Sequence, residues 1–129
     1  SGSSVSTSLS GLVLIVDDEP LVRRMLRRVL ERMGLEVIEA KDGFEAIELF
    51  KQFSESISVI LLDWSMPRMN GKQTLQGLRA CSEHVPVFVL SGAGVEPEGS
   101  RTSSHQVQAF LKKPFRRVGL ESHLRSVLV

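Results

Sequence analysis

An alternation limits the fold more than any other feature of this chain. Short, largely apolar runs at residues 12–16, 35–40, 57–62, 85–90 and 109–112 are separated by longer segments whose apolar residues recur every three or four positions. Runs that are apolar on both faces suit strands buried in a parallel sheet, and the segments between them suit the helices that cover it. Right-handed crossovers place such helices on both faces. With 129 residues, 42% of them hydrophobic and 24% charged, the chain can build one domain of this kind and has no room for two cores.

The helical segments carry their own start and stop signals. Over residues 20–33, Val22, Leu26, Val29 and Met33 recur at helical spacing, Pro20 suits the first turn, and Gly34 suits the C-cap. Asp42 is the N-cap expected for a second helix, with Phe44, Ile47, Phe50 and Phe53 on its inward stripe. Residues 71–82 predict a third helix with Leu75 and Leu78 inward, and Leu120, Leu124 and Val127 mark a closing one. Between the fourth and fifth strands, residues 91–106 hold Gly92, Gly94, Pro97, Gly99 and several serines. That composition opposes a long helix and predicts at most a short or mobile one. Residues 1–10, nearly all Ser, Gly and Thr, read as a linker, and residues 11–129 as the domain.

Several function classes drop out early. A net charge of +1 gives no field to hold a polyanion, so direct nucleic-acid binding is not expected. The longest apolar runs are far short of the ~20 residues that cross a bilayer, and no membrane contact is expected. Cys81, the single cysteine, cannot form an internal disulfide and reads as a small buried hydrophobe. Together with the lack of a signal-peptide core, this predicts a cytoplasmic setting. His84, His105 and His123 have no metal-site spacing. Around Gly71-Lys72, Met66 replaces the first P-loop glycine and Gln73 the hydroxyl residue, and Pro97 spoils a dinucleotide fingerprint begun at Gly92.

What remains lies at the strand ends. Open parallel sheets bind ligands beyond the carboxyl ends of their strands. Asp17 and Asp18 follow the first strand, Asp63 the third, Ser91 the fourth and Lys113 the fifth. Three clustered carboxylates repel one another unless a cation sits among them, which implies a hard divalent ion. Magnesium fits best, because it takes few carboxylates and completes its shell with water and phosphate oxygens. Lys113 offers a fixed positive charge, and Ser91 a hydroxyl donor, to a phosphoryl group near Asp63.

At these residues the chain resembles the receiver domains of two-component response regulators and hybrid histidine kinases, the CheY-like superfamily. The matching segments are Leu14-Ile15-Val16-Asp17-Asp18-Glu19, Asp63-Trp64-Ser65-Met66-Pro67-Arg68-Met69-Asn70-Gly71, Ser91-Gly92-Ala93 and Phe110-Leu111-Lys112-Lys113-Pro114-Phe115. The resemblance implies an α/β flavodoxin-like, doubly wound parallel sheet in strand order 2-1-3-4-5. It makes Asp63 the phosphoryl acceptor and Asp18 a direct magnesium ligand, with Asp17 acting through water and the Ser65 carbonyl as a further ligand. Ser91 becomes the switch hydroxyl, Phe110 the switch aromatic and Lys113 the phosphate-pairing amine, with a cis bond from Lys113 to Pro114. The implied donor is a phosphohistidine on a histidine kinase or histidine phosphotransfer domain, and the domain catalyses its own phosphotransfer and dephosphorylation. Output is expected at the face formed by the fourth strand, the segment after it, the fifth strand and the closing helix. The segment around residues 107–115 looks most like hybrid-kinase receivers, so the expected parent is a hybrid histidine kinase ending in this domain. A stand-alone or output-linked regulator is the alternative.

Other classes fit less well. A haloacid-dehalogenase-like phosphatase wants a second aspartate at position 65, where Ser65 stands. A flavin carrier wants phosphate-cradling turns after the first strand, which carries carboxylates instead. Arg23, Arg24, Arg27, Arg28 and Arg32 make the first helix strongly basic. One reading is a solvated face screened by Glu19 and Glu31. The other is partner docking through Leu21, Met25, Arg24 and Arg28, with Phe115 nearby, since Leu21 and Met25 fall off the buried stripe.

Overall fold

The computed structural model describes residues 9–92, 107–113 and 116–128. In chain order the elements are β1 (Leu12–Val16), α1 (Pro20–Arg32), β2 (Glu36–Ala40), α2 (Gly43–Phe53), β3 (Ile57–Asp63), α3 (Gly71–Cys81), β4 (Val87–Ser91), β5 (Ala109–Lys112) and α4 (Arg117–Leu128). The five strands form one sheet in the order β2-β1-β3-β4-β5, and every neighbouring pair is parallel. The expected doubly wound architecture and strand order are therefore present.

Alternation along the strands divides the core in two. Val13 and Ile15 of β1, Val59 and Leu61 of β3, and Phe88 and Leu90 of β4 pack with Leu26 and Leu30 of α1 and Leu120 and Leu124 of α4. Leu14, Val16, Ile60, Leu62, Val87 and Val89 point the other way, onto Ala46 and Phe50 of α2 and Leu75 and Leu78 of α3. Each large side chain buried here contributes roughly 1.5–3 kcal/mol relative to exposure. Strands buried on both faces explain why the sequence shows runs rather than polar–apolar alternation.

Local signals act as their chemistry requires. Pro20 opens α1, whose far end closes in a Schellman motif. There the Gly34 N–H bonds the Glu31 carbonyl, the Leu35 N–H bonds the Leu30 carbonyl, and Gly34 takes a φ of +98°. The Asp42 side chain accepts from the Glu45 N–H at the start of α2. Asn70 and Gln73 form a reciprocal capping box at the start of α3.

Four expectations change. The stripe on α2 is rotated: Gly43, Ala46 and Phe50 are buried, while Phe44 is 52% and Phe53 36% exposed. The cause is close approach of α2 to α3, where a Cβ on Gly43 would fall 2.2 Å from Thr74 Oγ1 and one on Gly77 would fall 2.4 Å from Ile47 Cδ1. Small residues, not aromatics, define that seam. Cys81 is exposed rather than buried, because α3 ends there and Val85 closes this end of the core. β4 begins at Val87, after Pro86, whose carbonyl accepts from the Ile60 N–H. Leu9, expected in the linker, is buried in the core, with its N–H on the Met33 carbonyl. The rest of the linker expectation, the helix expected within residues 91–106 and the Lys113–Pro114 bond fall largely or wholly outside the described residues.

Candidate functional site

The carboxyl ends of β1 and β3 lie side by side, because the strand order makes these elements neighbours. Crossovers leave β1 and β3 toward opposite faces of the sheet, so a crevice opens between the loops that follow them. Asp17 and Asp18 stand on one side and Asp63 on the other, with one carboxylate oxygen from each lying within 4.8 Å of the others. Asp17 is fully buried, Asp63 is buried and Asp18 is exposed. Lys113, just after β5, spans the sheet edge to reach both buried carboxylates, at 3.0 Å from Asp17 Oδ2 and 3.2 Å from Asp63 Oδ1.

The two buried carboxylates are each held by a backbone N–H as well as by Lys113. The Glu19 N–H bonds Asp17 Oδ1 at 2.9 Å, and the Ser65 N–H bonds Asp63 Oδ1 at 3.3 Å. The Asp63 carboxyl lies above the ordinary carboxylate range: burial is the main cause, the Asp17 charge adds to it, and Lys113 and the Ser65 N–H oppose it. For Lys113, burial alone would lower the ammonium pKa. Hydrogen bonds and charge from Asp17 and Asp63 outweigh it and leave the amine above its ordinary value.

The loop from Asp63 to α3 is shaped by two backbone devices. Gly71 donates its N–H to the Trp64 carbonyl, and a Cβ there would sit 2.5 Å from Trp64 Cα. Arg68 has a φ of +65°, in the left-handed region, with its guanidinium 5.7 Å from the Phe44 ring centre. Trp64 and Met66 pack on the core, and Ser65 is exposed beside Asp63.

The remaining expected site residues divide by position. Ser91 is the last residue of β4, is buried, and accepts the Lys113 N–H at its carbonyl. Phe110, in β5, pairs with Val89 and packs half-buried against the α2/α3 side of the core. Leu21 and Met25 are 75% and 49% exposed on α1, and with Val29 they line a groove of about 400 Å³ flanked by Arg24, Arg28 and Arg32. Phe115 lies outside the described residues.

Sequence reasoning missed what screens the basic helix. Glu19 makes no ion pair among the described residues, whereas Glu39 of β2 receives Arg23 at 3.0 Å and Arg27 at 2.5 Å. Burial alone would raise the Glu39 carboxyl, but hydrogen bonds and charge from Arg27 and Arg23 outweigh it and hold the group below its ordinary range. The available signal was position: Glu39 sits one residue before the end of the strand paired with β1.

Hard oxygen donors on two loops, with an ammonium between them, suit a divalent cation and a phosphoryl group. The family model for the response regulator receiver domain matches residues 13–125. The chain belongs to this family. A chemotaxis protein CheY homolog of Campylobacter jejuni is 33% identical over 119 residues, spanning 90% of this chain and 91% of that protein. The receiver domain of the hybrid histidine kinase CckA superposes with a TM-score of 0.77 at 30% identity, covering 92% of this chain and all of that domain (100%). A CheX–CheY complex from Borrelia burgdorferi, solved with BeF3 and magnesium, gives a TM-score of 0.82 at 27% identity over 92% of this chain and 90% of that one. These TM-scores show that this chain shares its fold with the two solved receiver domains. Among the described residues, no helix is long and apolar enough to cross a membrane.

Proposed function

We propose that this receiver domain is a phosphoacceptor switch in a phosphorelay, with Asp63 as the acceptor. The observation that carries the reading is the Lys113 ammonium bridging Asp17 and Asp63 beside Asp18, on one sheet edge of a receiver-family chain. An Asp63 oxygen forms a P–O bond as the P–N bond of a phosphohistidine breaks, and the imidazole nitrogen keeps the electron pair. Lys113 then moves its pairing from carboxylate to phosphoryl oxygen, and the Ser91 hydroxyl donates to another. Asp17, Asp18, Asp63 and the Ser65 carbonyl would hold a magnesium ion, whose charge offsets that shared by carboxylate and phosphoryl oxygens. The donor set fits such an ion, since all side-chain ligands are hard oxygens and the exposed Asp18 leaves room for water.

The same reading gives a route for signal output. Drawing Ser91 toward the phosphoryl group makes space for Phe110, which has no hydroxyl to anchor it, to turn inward and alter the surface around β5. The donor is a histidine kinase or histidine phosphotransfer domain seated against Leu21, Met25, Arg24 and Arg28. A hybrid histidine kinase is the parent we favour, on the likeness of residues 107–115 to such receivers and of the fold to the CckA receiver.

Beryllofluoride, which mimics a phosphoryl group on aspartate, tests the reading. Loading followed by Trp64 fluorescence should require magnesium and be lost in Asp63→Asn. Loading that persists without magnesium, or in that variant, would overturn it.

A further inference from the structure

The five arginines of α1 divide by what they touch. Arg24, Arg28 and Arg32 are exposed, while Arg23 and Arg27 turn toward the sheet and meet Glu39. Arg23 does one thing more. Its Nη1 donates to the main-chain carbonyl of Asp17 at 2.7 Å, with its side chain only 16% exposed.

That carbonyl belongs to the peptide joining the two acidic residues of the β1–α1 loop. Asp17 is otherwise tied on every side: its N–H goes to the Ala40 carbonyl, Oδ1 accepts from the Glu19 N–H, and Oδ2 accepts from Lys113. Asp18 is exposed, and the peptide before it sets where its side chain starts. Fixing the Asp17 carbonyl fixes the plane of that peptide, because the six atoms of a peptide unit move together. A charge-assisted hydrogen bond from a half-buried guanidinium is a strong way to fix it.

A guanidinium beside a cation site also carries a penalty, since like charges repel. Glu39 answers it. By accepting from Arg23 Nε at 3.0 Å and Arg27 Nε at 2.5 Å, it offsets part of their combined positive charge and aims Arg23 at the loop. Arg27 in turn bonds Glu31 at 3.1 Å, so the chain of contacts runs from the helix surface to the acidic loop.

We infer that Arg23, held by Glu39, is a positioning residue for the divalent-cation site: it orients the Asp17–Asp18 peptide and so sets the affinity of the acidic cluster for magnesium. This rests on the reading above that the cluster binds the ion. Two opposed effects make it testable by sign. If Arg23 acted only through its charge, removing it would tighten magnesium binding; if it positions the loop, removing it weakens binding.

The experiment is a magnesium titration followed by Trp64 fluorescence, with the amide signal of Asp18 observed by NMR, in the parent protein, Arg23→Ala, Arg23→Lys, Glu39→Gln and the Arg23→Ala/Glu39→Gln double variant. Partners that orient metal ligands typically carry 10–100-fold in affinity, and roughly 10-fold is expected for Arg23→Ala. Arg23→Lys should recover part of it. Glu39→Gln should also weaken binding, yet add little once Arg23 is gone. If Arg23→Ala does not fold, Arg23→Lys and Glu39→Gln carry the test, with a weaker affinity and a displaced Asp18 amide as the expected result. Variants that bind magnesium as tightly as the parent, or more tightly, overturn the inference alone. A parent protein that binds none overturns the metal reading with it.

Discussion

Replacing Lys113 by methionine removes a cation that bridges two buried carboxylates while keeping most of the side chain's volume. The ammonium lies 3.0 Å from Asp17 and 3.2 Å from Asp63. At an effective dielectric of ~20, each contact is an attraction of about 5 kcal/mol. Carboxylate oxygens of Asp17 and Asp63 within 4.8 Å of one another repel by about 3.5 kcal/mol or more on the same scale. These gross energies are largely offset by the cost of taking the charges out of water, and breaking a buried pair costs about 3–5 kcal/mol in practice. Because the Lys113 side chain is 24% exposed, we expect less, about 2–3 kcal/mol at neutral pH in magnesium-free buffer. The sign of the pH dependence is fixed by Asp63. Its folded-state pKa is already raised above its ordinary 3.8, and losing Lys113 raises it further. A group raised in this way favours the fold below its unfolded value, and that contribution is lost as pH rises through the folded one. The variant should therefore approach the parent as the solution is acidified, and saturating magnesium should restore much of the loss at neutral pH. Urea unfolding at neutral and acidic pH, with and without magnesium, measures all three. A loss below ~0.5 kcal/mol, the size of an ordinary surface substitution, or one indifferent to pH and magnesium, would refute the argument.

Asp63→Asn removes the buried charge that is disfavoured in the fold and should raise the melting temperature of the magnesium-free protein at neutral pH, the gain shrinking as pH falls toward 3.8 in thermal scans. Gly71→Ala places a Cβ 2.5 Å from the Trp64 backbone, which cannot yield as a side-chain tip would. It should cost about 1–3 kcal/mol in urea unfolding and disturb Trp64 emission. Asn70→Ala breaks the capping box of α3 and should cost about 1 kcal/mol, with beryllofluoride loading preserved. Arg24→Glu with Arg28→Glu should slow phosphotransfer from a histidine donor while leaving loading by beryllofluoride intact, measured side by side on the same preparations.

Much of this molecule is legible in its sequence, for reasons particular to its residues. Strands buried on both faces advertise themselves as apolar runs, so β1 and β3 are placed within a residue of their bounds. Because reactive side chains follow directly on those runs, the sequence alone assigns Asp17, Asp18, Asp63, Ser91 and Lys113 to one sheet edge. What stayed hidden depends on pairs distant in sequence. The buried stripe of α2 is not readable locally, because Gly43 and Gly77 take their meaning from Thr74 and Ile47 across the helix seam. Cys81 follows Leu78 at helical spacing, yet nothing local tells that the helix ends beyond the core. The Glu39 contacts with Arg23 and Arg27 require knowing that β2 lies beside β1 with α1 over them. Leu9 gives no signal between Ser8 and Ser10, since one apolar residue makes no pattern.

The central claim is that Asp63 accepts a phosphoryl group in a magnesium-dependent step. Incubation with acetyl phosphate, followed by intact-mass measurement and peptide mapping after reductive trapping of the acyl phosphate, tests it most directly. The account predicts one phosphoryl group per chain, located on Asp63, absent without magnesium and absent in Asp63→Asn. Phosphorylation that maps to another residue, or that proceeds equally well in the presence of a chelator, would contradict it.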